Sequence, residues 1–209
     1  AYALTFGDRL FDGAIALAPP SLDQRAVHTM QRLAKTPIRP AHLVDQALQI
    51  GSAPVESVYC DIIYRDVWPI DIGNWGRIRM QFADGLRYEV EISNLAAIKK
   101  PRWYVLGDAG TLVKYGIDPQ EDYMREGRIE EAEQDSANYA RVTSNRDGNV
   151  DERMIEPVRG SWISYYQNIS DVLNEGAELA VKPEEAYEAM RVFDAAMESS
   201  ETGQVVTLD

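Results

Sequence analysis

Few residues of this chain are of types that do chemistry, and those few narrow the options. There are two histidines, His28 and His42, and one cysteine, Cys60. A single cysteine excludes an internal disulfide and a cysteine-based zinc site. Cys60 lies in an alternating, β-branched stretch and reads as a buried strand residue. His28 follows Val27 in a helical stretch and reads as surface. His42 stands at a helix start, where a structural hydrogen bond is its ordinary role. No Gly-x-Ser-x-Gly, paired Cys and His, or His-x-x-x-His spacing supports a nucleophile or a zinc centre. The carboxylates Glu130, Glu131, Glu133 and Asp135 form a solvated run, not a metal cage. Asn145-Arg-Asp147-Gly148 opens like a calcium loop, but Thr143 and Met154 occupy its end positions, so it reads as a turn. Asn168-Ile-Ser170 is a glycosylation triplet inside a predicted helix and is discounted. Gly73-Asn-Trp-Gly76 and Gly107-Asp-Ala-Gly110 lack the Gly-x-Gly-x-x-Gly spacing that cradles a pyrophosphate. Four Trp and eleven Tyr suit stacking on a sugar ring, although Trp162 and Tyr165, at helical spacing, read as core.

The elements that must position these residues are legible from period and punctuation. Trp75 to Ile92 alternates apolar and polar residues on both sides of Asp84-Gly85, a hairpin signal. A two-residue loop would set Phe82 opposite Arg87. A three-residue loop, Ala83-Asp84-Gly85, sets Met80 opposite Tyr88 and Ile78 opposite Val90. The other face then pairs Gln81 with Arg87, Arg79 with Glu89 and Arg77 with Glu91. Burying one face selects the second register. The hairpin is expected in the middle of an antiparallel sheet, apolar toward a helical layer and charged on the other side.

Residues 2–9 read as a first strand, Ser21 to Lys35 as a helix, and Ala41 to Ile50 as a second helix closed by Gly51. Val55 to Tyr64 reads as a strand. Residues 102–107 and 111–115 read as two more, and Asp118-Pro119 opens a short helix ending at Gly127. A second hairpin turns at Asp147-Gly148. Ser161 is expected to cap a helix with Trp162, Tyr165, Tyr166, Ile169, Val172 and Leu173 on one face, ended by Gly176. Pro183 starts a last helix lined by Ala186, Met190, Phe193 and Met197. Gly203 stops it, and Val205 to Leu208 return as a strand. Helices, then strands, then helices predict an α+β fold: an open, predominantly antiparallel sheet with helices packed on one face.

The formal net charge of −13 argues against a nucleic-acid backbone or an anionic membrane as partner. No run approaches the roughly 18 apolar residues of a membrane helix. The start, AYALTFGDRL, lacks the basic residues and long apolar core of a signal peptide. The expected localisation is cytoplasmic.

Three stretches resemble the substrate-side, C-terminal domain of the Gfo/Idh/MocA oxidoreductases, NAD(P)-dependent dehydrogenases of sugars and cyclitols. One is Gly110-Thr-Leu-Val-Lys114-Tyr115-Gly-Ile-Asp118-Pro119-Gln120-Glu121. Another runs from Tyr165-Tyr166-Gln-Asn168-Ile through Pro183-Glu184-Glu185-Ala186 to Glu201-Thr-Gly203-Gln-Val-Val-Thr-Leu208. The third, Ala41-His42-Leu43-Val44-Asp45-Gln46-Ala47-Leu48, is similar to the family's active-site helix. The resemblance implies one domain over residues 1–209, of the dihydrodipicolinate-reductase-like type. It also implies that the family's dinucleotide-binding domain, with its catalytic lysine, is not in this chain. NAD or NADP would then come only from a partner chain, and this chain would hold no cofactor or metal of its own.

By the same resemblance, His42 is the candidate catalytic base. Lys114, Tyr115, Arg9 and Tyr166 are candidate substrate-binding residues. The family pattern Asp-x-Gly-x-His-x-x-Asp keeps His42 and Asp45 here, but Ile38 and Pro40 replace its acid and its glycine. The expected function is a sugar- or cyclitol-binding, oligomerising accessory subunit of an oxidoreductase, not active alone. The alternative is the catalytic half of a split NAD(P)-dependent sugar or inositol dehydrogenase using His42 as base. Expected partners are a second copy through the open sheet face, or a dehydrogenase chain.

Overall fold

The structure, a computed structural model, describes residues 41–66, 73–146 and 149–209. The predicted first strand, the helix at 21–35, Arg9, His28 and the Asp147-Gly148 turn lie outside the described residues. The described residues form two compact units, 41–96 with 181–209, and 97–180. Each holds one four-stranded sheet, and every strand pairing is antiparallel.

The first unit contains α1 (Ala41–Ile50), β1 (Val55–Ile63), β2 (Trp75–Phe82), β3 (Arg87–Ser93), α4 (Pro183–Thr202) and β8 (Val206–Thr207), with strand order β3-β2-β1-β8. The β2–β3 register is the one that burial selects: Ile78 faces Val90, Met80 faces Tyr88, Arg79 faces Glu89 and Arg77 faces Glu91. The Phe82 N–H donates to the Leu86 carbonyl and the Gly85 N–H to the Phe82 carbonyl, both at 2.9 Å. Gly85 takes φ +91, which an L side chain rarely adopts. The hairpin is not the middle of its sheet, however. Among the described residues β3 is an edge, because β8 pairs with β1 on the far side.

The apolar sheet face carries Val58, Cys60, Ile78, Met80, Phe82 and Val90 against Val44 and Ala47 of α1 and the inner face of α4. That inner face is Ala189, Met190, Val192, Phe193, Ala195, Ala196 and Ser199. Met190 and Phe193 were expected there. Ala186 is exposed and Met197 half-buried, because the contact stripe centres on Val192 and Ala196. Ser199 is fully buried and satisfied: its Oγ accepts from the Cys60 N–H at 2.9 Å and donates to the Gln204 carbonyl at 2.6 Å.

The second unit contains β4 (Trp103–Gly107), β5 (Gly110–Lys114), α2 (Gln120–Arg125), β6 (Ala140–Arg146), β7 (Asn149–Ile155) and α3 (Trp162–Glu175), with strand order β4-β5-β6-β7. Helix α3 ends at Gly176 with φ +70, as its sequence predicts. Its expected core face is not one: Trp162 is 38% and Tyr165 44% exposed, and no residue of α3 is buried. Ser161 does not cap α3 through its side chain either. The Trp162 N–H is instead taken by the Gln120 Oε1 at 2.9 Å.

Candidate functional site

In the first unit the sheet face away from the helices is a charge lattice, in which the buried Arg77 Nε makes no hydrogen bond and lies 4.0 Å from Glu89. Asp61 accepts from the Tyr59 hydroxyl at 2.9 Å and from Arg77 Nη2 at 3.1 Å, with Arg79 Nη2 at 3.6 Å. Arg79 also reaches Glu89 at 3.5 Å, and the Arg87 Nε donates to Gln81 at 2.9 Å. The Arg77 guanidinium lies over the Trp75 ring at 5.2 Å and that of Arg79 over Tyr59 at 5.1 Å. Burial works against the Asp61 charge, but the Tyr59 and Arg77 hydrogen bonds and the two arginine charges outweigh it, so its carboxyl lies below the ordinary value. The same carboxylate raises the Tyr59 phenol. Burial pushes the Cys60 thiol up to about 11, with the Asp61 charge adding to it. A shallow cavity of about 370 Å³ opens beside this lattice, between Tyr59, Asp61, Trp75, Arg77 and the end of α4.

His42 occupies the first turn of α1 with an exposed side chain; Asp45, one turn on, is half-buried. The helix is fixed by Val44 and Ala47, both fully buried, and by its closure at Gly51. A Cβ on Gly51 would lie 2.2 Å from the Phe82 ring, so the need there is for close approach rather than a left-handed backbone.

In the second unit Lys114 ends β5, opposite Trp103 of β4. Its side chain is half-buried, and its Nζ donates to the Tyr115 carbonyl at 3.1 Å. Burial lowers the Lys114 pKa, and the nearby Arg102 charge lowers it further; Asp118 acts the other way. The Asp118 carboxylate is already engaged. One oxygen accepts from the Gln120 backbone N–H at 2.9 Å and the other from the Gln120 side chain at 2.8 Å. Gln120, only 3% exposed, joins this turn to the first residue of α3. Gly160 leaves room for the joint, since a Cβ there would lie 2.5 Å from both Asp118 and Gln120 side-chain atoms.

Tyr115 is 46% exposed. Tyr166, on α3, is 51% exposed and stands edge-on to Tyr165, with ring centroids 5.3 Å apart. Lys114 and Tyr115 are thus neighbours, and Tyr166 lies on the helix that Gln120 tethers to their turn. Arg9 is outside the described residues, and His42 belongs to the other unit. Sequence reasoning missed Arg102, Trp103 and Gln120. The two-residue turn at Asp108-Ala109, carried back along the ladder, would have placed Trp103 against Lys114. Gln120 had no signal beyond its place after Asp118-Pro119. Among the described residues no cluster of three or more His, Cys, Asp or Glu could hold a metal ion. No helix among them is long and apolar enough to cross a membrane.

Residues 76–208 match the model of the oxidoreductase family's C-terminal alpha/beta domain, the Gfo/Idh/MocA type. Scyllo-inositol 2-dehydrogenase (NADP(+)) IolW of Bacillus subtilis is 29% identical over 182 residues, which is 81% of this chain and 48% of that protein. The uncharacterized oxidoreductase YdgJ of Escherichia coli is 34% identical over 114 residues, 51% of this chain and 31% of that one. Among solved structures, the putative oxidoreductase yvaA of Bacillus subtilis superposes with a TM-score of 0.70 at 27% identity, over 81% of this chain and 49% of that one. A putative oxidoreductase from Bacteroides fragilis gives 0.69 at 26% identity, over 80% and 51%. The chain spans about half the length, or less, of the relatives it matches.

Proposed function

Because this chain belongs to the Gfo/Idh/MocA oxidoreductase family, whose C-terminal alpha/beta domain it carries, we propose that it is the substrate-side part of an oxidoreductase of sugars or cyclitols. It binds the polyol and joins subunits, acting as an accessory subunit while NAD(P) is held outside these residues. The observation that carries this reading is the similarity to a scyllo-inositol dehydrogenase over 81% of the chain. Support for the nucleotide being held elsewhere comes from the antiparallel pairing of all described strands. A pyrophosphate cradle needs a parallel strand leading into a helix N-terminus, and the described residues offer none.

Association through the charged face of the first sheet is the second part of the proposal. On the Tyr59, Trp75 and Arg77 surface Asp61 takes hydrogen bonds from Tyr59 and Arg77 and the guanidinium lies over Trp75, so little charge is left uncompensated when a second surface covers it. Sedimentation velocity at micromolar concentration tests it; a monomer rules it out. Calorimetric titration with scyllo-inositol and with NADPH tests the first part. Saturable polyol binding without NADPH binding is expected, and saturable NADPH binding would contradict it.

A second reading is favoured by the NADP(+)-dependent relative and by the His42–Asp45 pair. Here the chain is the catalytic half of a split dehydrogenase, and His42 takes the hydroxyl proton of the polyol. Mixing with the dehydrogenase chain that co-purifies decides between the two. Activity lost in His42→Ala, with the fold retained, supports catalysis; activity indifferent to His42→Ala supports the accessory role.

A further inference from the structure

We propose that Gln120 is a positioning residue for ligand binding in the second unit: its buried amide sets α3, with Tyr166, against the turn that carries Lys114 and Tyr115. That these three residues meet a polyol rests on the function proposed above; the joint itself rests on the following geometry. Among the described residues of this unit only Gln120, Ala132 and Ala140 are buried, and none of them belongs to α3. Two alanines bury too little apolar surface to fix the angle of a 14-residue helix, and a helix of that length is marginal in water without packing. What holds α3 is polar. At its start the Trp162 N–H goes to the Gln120 Oε1 at 2.9 Å. Farther along, Asn168 spends both ends of its amide on the segment after the helix, donating to the Glu178 carbonyl and accepting from the Ala180 N–H, each at 2.9 Å. That second clamp ties α3 to its own tail. The bond that reaches back to the β5–α2 turn is the one from Gln120.

The turn side of the joint is as closely defined. The Gln120 Nε2 donates to one Asp118 oxygen at 2.8 Å, and the Gln120 backbone N–H donates to the other at 2.9 Å. Glycines stand where a side chain would break the fit. A Cβ on Gly160 would lie 2.5 Å from Asp118 and Gln120 atoms, and one on Gly116 would lie 2.5 Å from the Asn138 side chain. A buried amide bonded at both ends fixes direction as well as distance, whereas an apolar contact tolerates sliding. Tyr115 stands five residues before Gln120. Tyr166 stands one helical turn, about 6 Å, beyond Trp162. Both rings are half-exposed and can stack on the apolar face of a polyol ring, and their mutual placement depends on this one side chain. Binding groups must be held within about 0.5 Å of their productive geometry, so a displaced α3 costs affinity even where the chain stays folded.

The test reads ligand affinity and helix placement separately, on the full 209-residue chain. Calorimetric titration with scyllo-inositol gives the affinity. Spin labels on Asp122→Cys and Glu175→Cys, both exposed, give the distance from α2 to the end of α3, and Cys60, 2% exposed, stays unlabelled. Gln120→Met fills the site but makes neither side-chain bond. It should broaden the label distances and weaken scyllo-inositol binding about tenfold, at a temperature where circular dichroism shows the chain fully folded. Val192→Ala, a cavity-forming change in the first unit, should lower the melting temperature and leave both readouts unchanged, as a merely structural role for Gln120 would also do. If Gln120→Met does not fold, Gln120→Glu keeps the acceptor for the Trp162 N–H and loses the donor to Asp118, and it should weaken binding by a smaller factor. Unchanged label distances in Gln120→Met, or unchanged affinity in whichever variant folds, overturn the proposal. Absence of saturable scyllo-inositol binding by the unsubstituted chain overturns the polyol reading and with it the ligand role of Gln120, while broadened label distances would still show that Gln120 places the helix.

Discussion

Replacing Gln120 with alanine should loosen the second unit where its candidate binding residues are held. Gln120 is 3% exposed and uses both ends of its amide. Its Nε2 donates to Asp118 at 2.8 Å, and its Oε1 accepts the first N–H of α3 at 2.9 Å. The two bonds are not equivalent. Asp118 is exposed and can turn to water, so its share is about 1 kcal/mol. The Trp162 N–H is partly buried and has no capping side chain from Ser161; leaving it unsatisfied costs about 1–2 kcal/mol. Removing two methylene-sized groups from a buried site adds roughly another 1 kcal/mol. The sum is about 3 kcal/mol, or roughly a hundredfold in the folding equilibrium. Urea unfolding followed by tyrosine and tryptophan fluorescence measures it. Gln120→Glu separates the contributions: its carboxylate can still accept from Trp162 but meets Asp118 with like charge, so it should recover as pH falls and one carboxyl protonates. A Gln120→Ala loss below about 0.5 kcal/mol would refute the idea that this joint orders α3 and Tyr166.

Three further outcomes follow from the first unit. Gly51→Ala places a methyl 2.2 Å from the fully buried Phe82 ring, so it should cost about 1–3 kcal/mol, with much of the loss recovered in the Gly51→Ala, Phe82→Leu double variant; thermal melts of the single and double variants check this. Asp61 has a folded-state pKa below its ordinary value of 3.8, so its contribution is complete above that value and is lost as pH falls toward the lower folded one; Asp61→Asn should flatten the acid limb of the unfolding midpoint against pH, and an unchanged limb counts against the lattice. Cys60 is 2% exposed, with its thiol pushed up to about 11, so iodoacetamide at pH 8 should label it only as fast as the unit unfolds; labelling of the native chain at the rate of a small thiol would contradict its placement.

Where local period and one-sided burial agree, the chain was readable. The hairpin is the clearest case: a one-residue slip would have turned Met80 and Phe82 to the charged face, so the pattern admits a single register, and that register is observed. The ends of α1, α3 and α4 were readable for a similar reason, since Gly51, Gly176 and Gly203 each follow a periodic run. Two features were not. The α4 stripe centres on Val192 and Ala196 rather than on the larger Met197, because helix packing selects for fit against β1 and not for side-chain size alone. The aromatic face of α3 has the spacing of a core face yet is not buried; periodicity says that a face is apolar, not what covers it. In the candidate site, His42, Lys114, Tyr115 and Tyr166 were reached through family resemblance, whereas Arg102 beside Lys114 required the β4–β5 ladder. Its position immediately before β4 carries no chemical signature until the strands are paired.

The pairing of charges on the first sheet bears on what that face can receive. On the first sheet Arg77 and Arg79 share Asp61 and Glu89, and aromatic rings cover both guanidinium groups. Such a face gains little from an added ion, because an incoming charge must displace a partner already in place. It suits contact with another surface better than capture of a solute. Association is therefore expected at Asp61–Arg77. Arg77→Gln, which removes the guanidinium shared by Asp61 and the Trp75 ring, should alter the sedimentation of the chain, and unchanged sedimentation counts against this face as the contact.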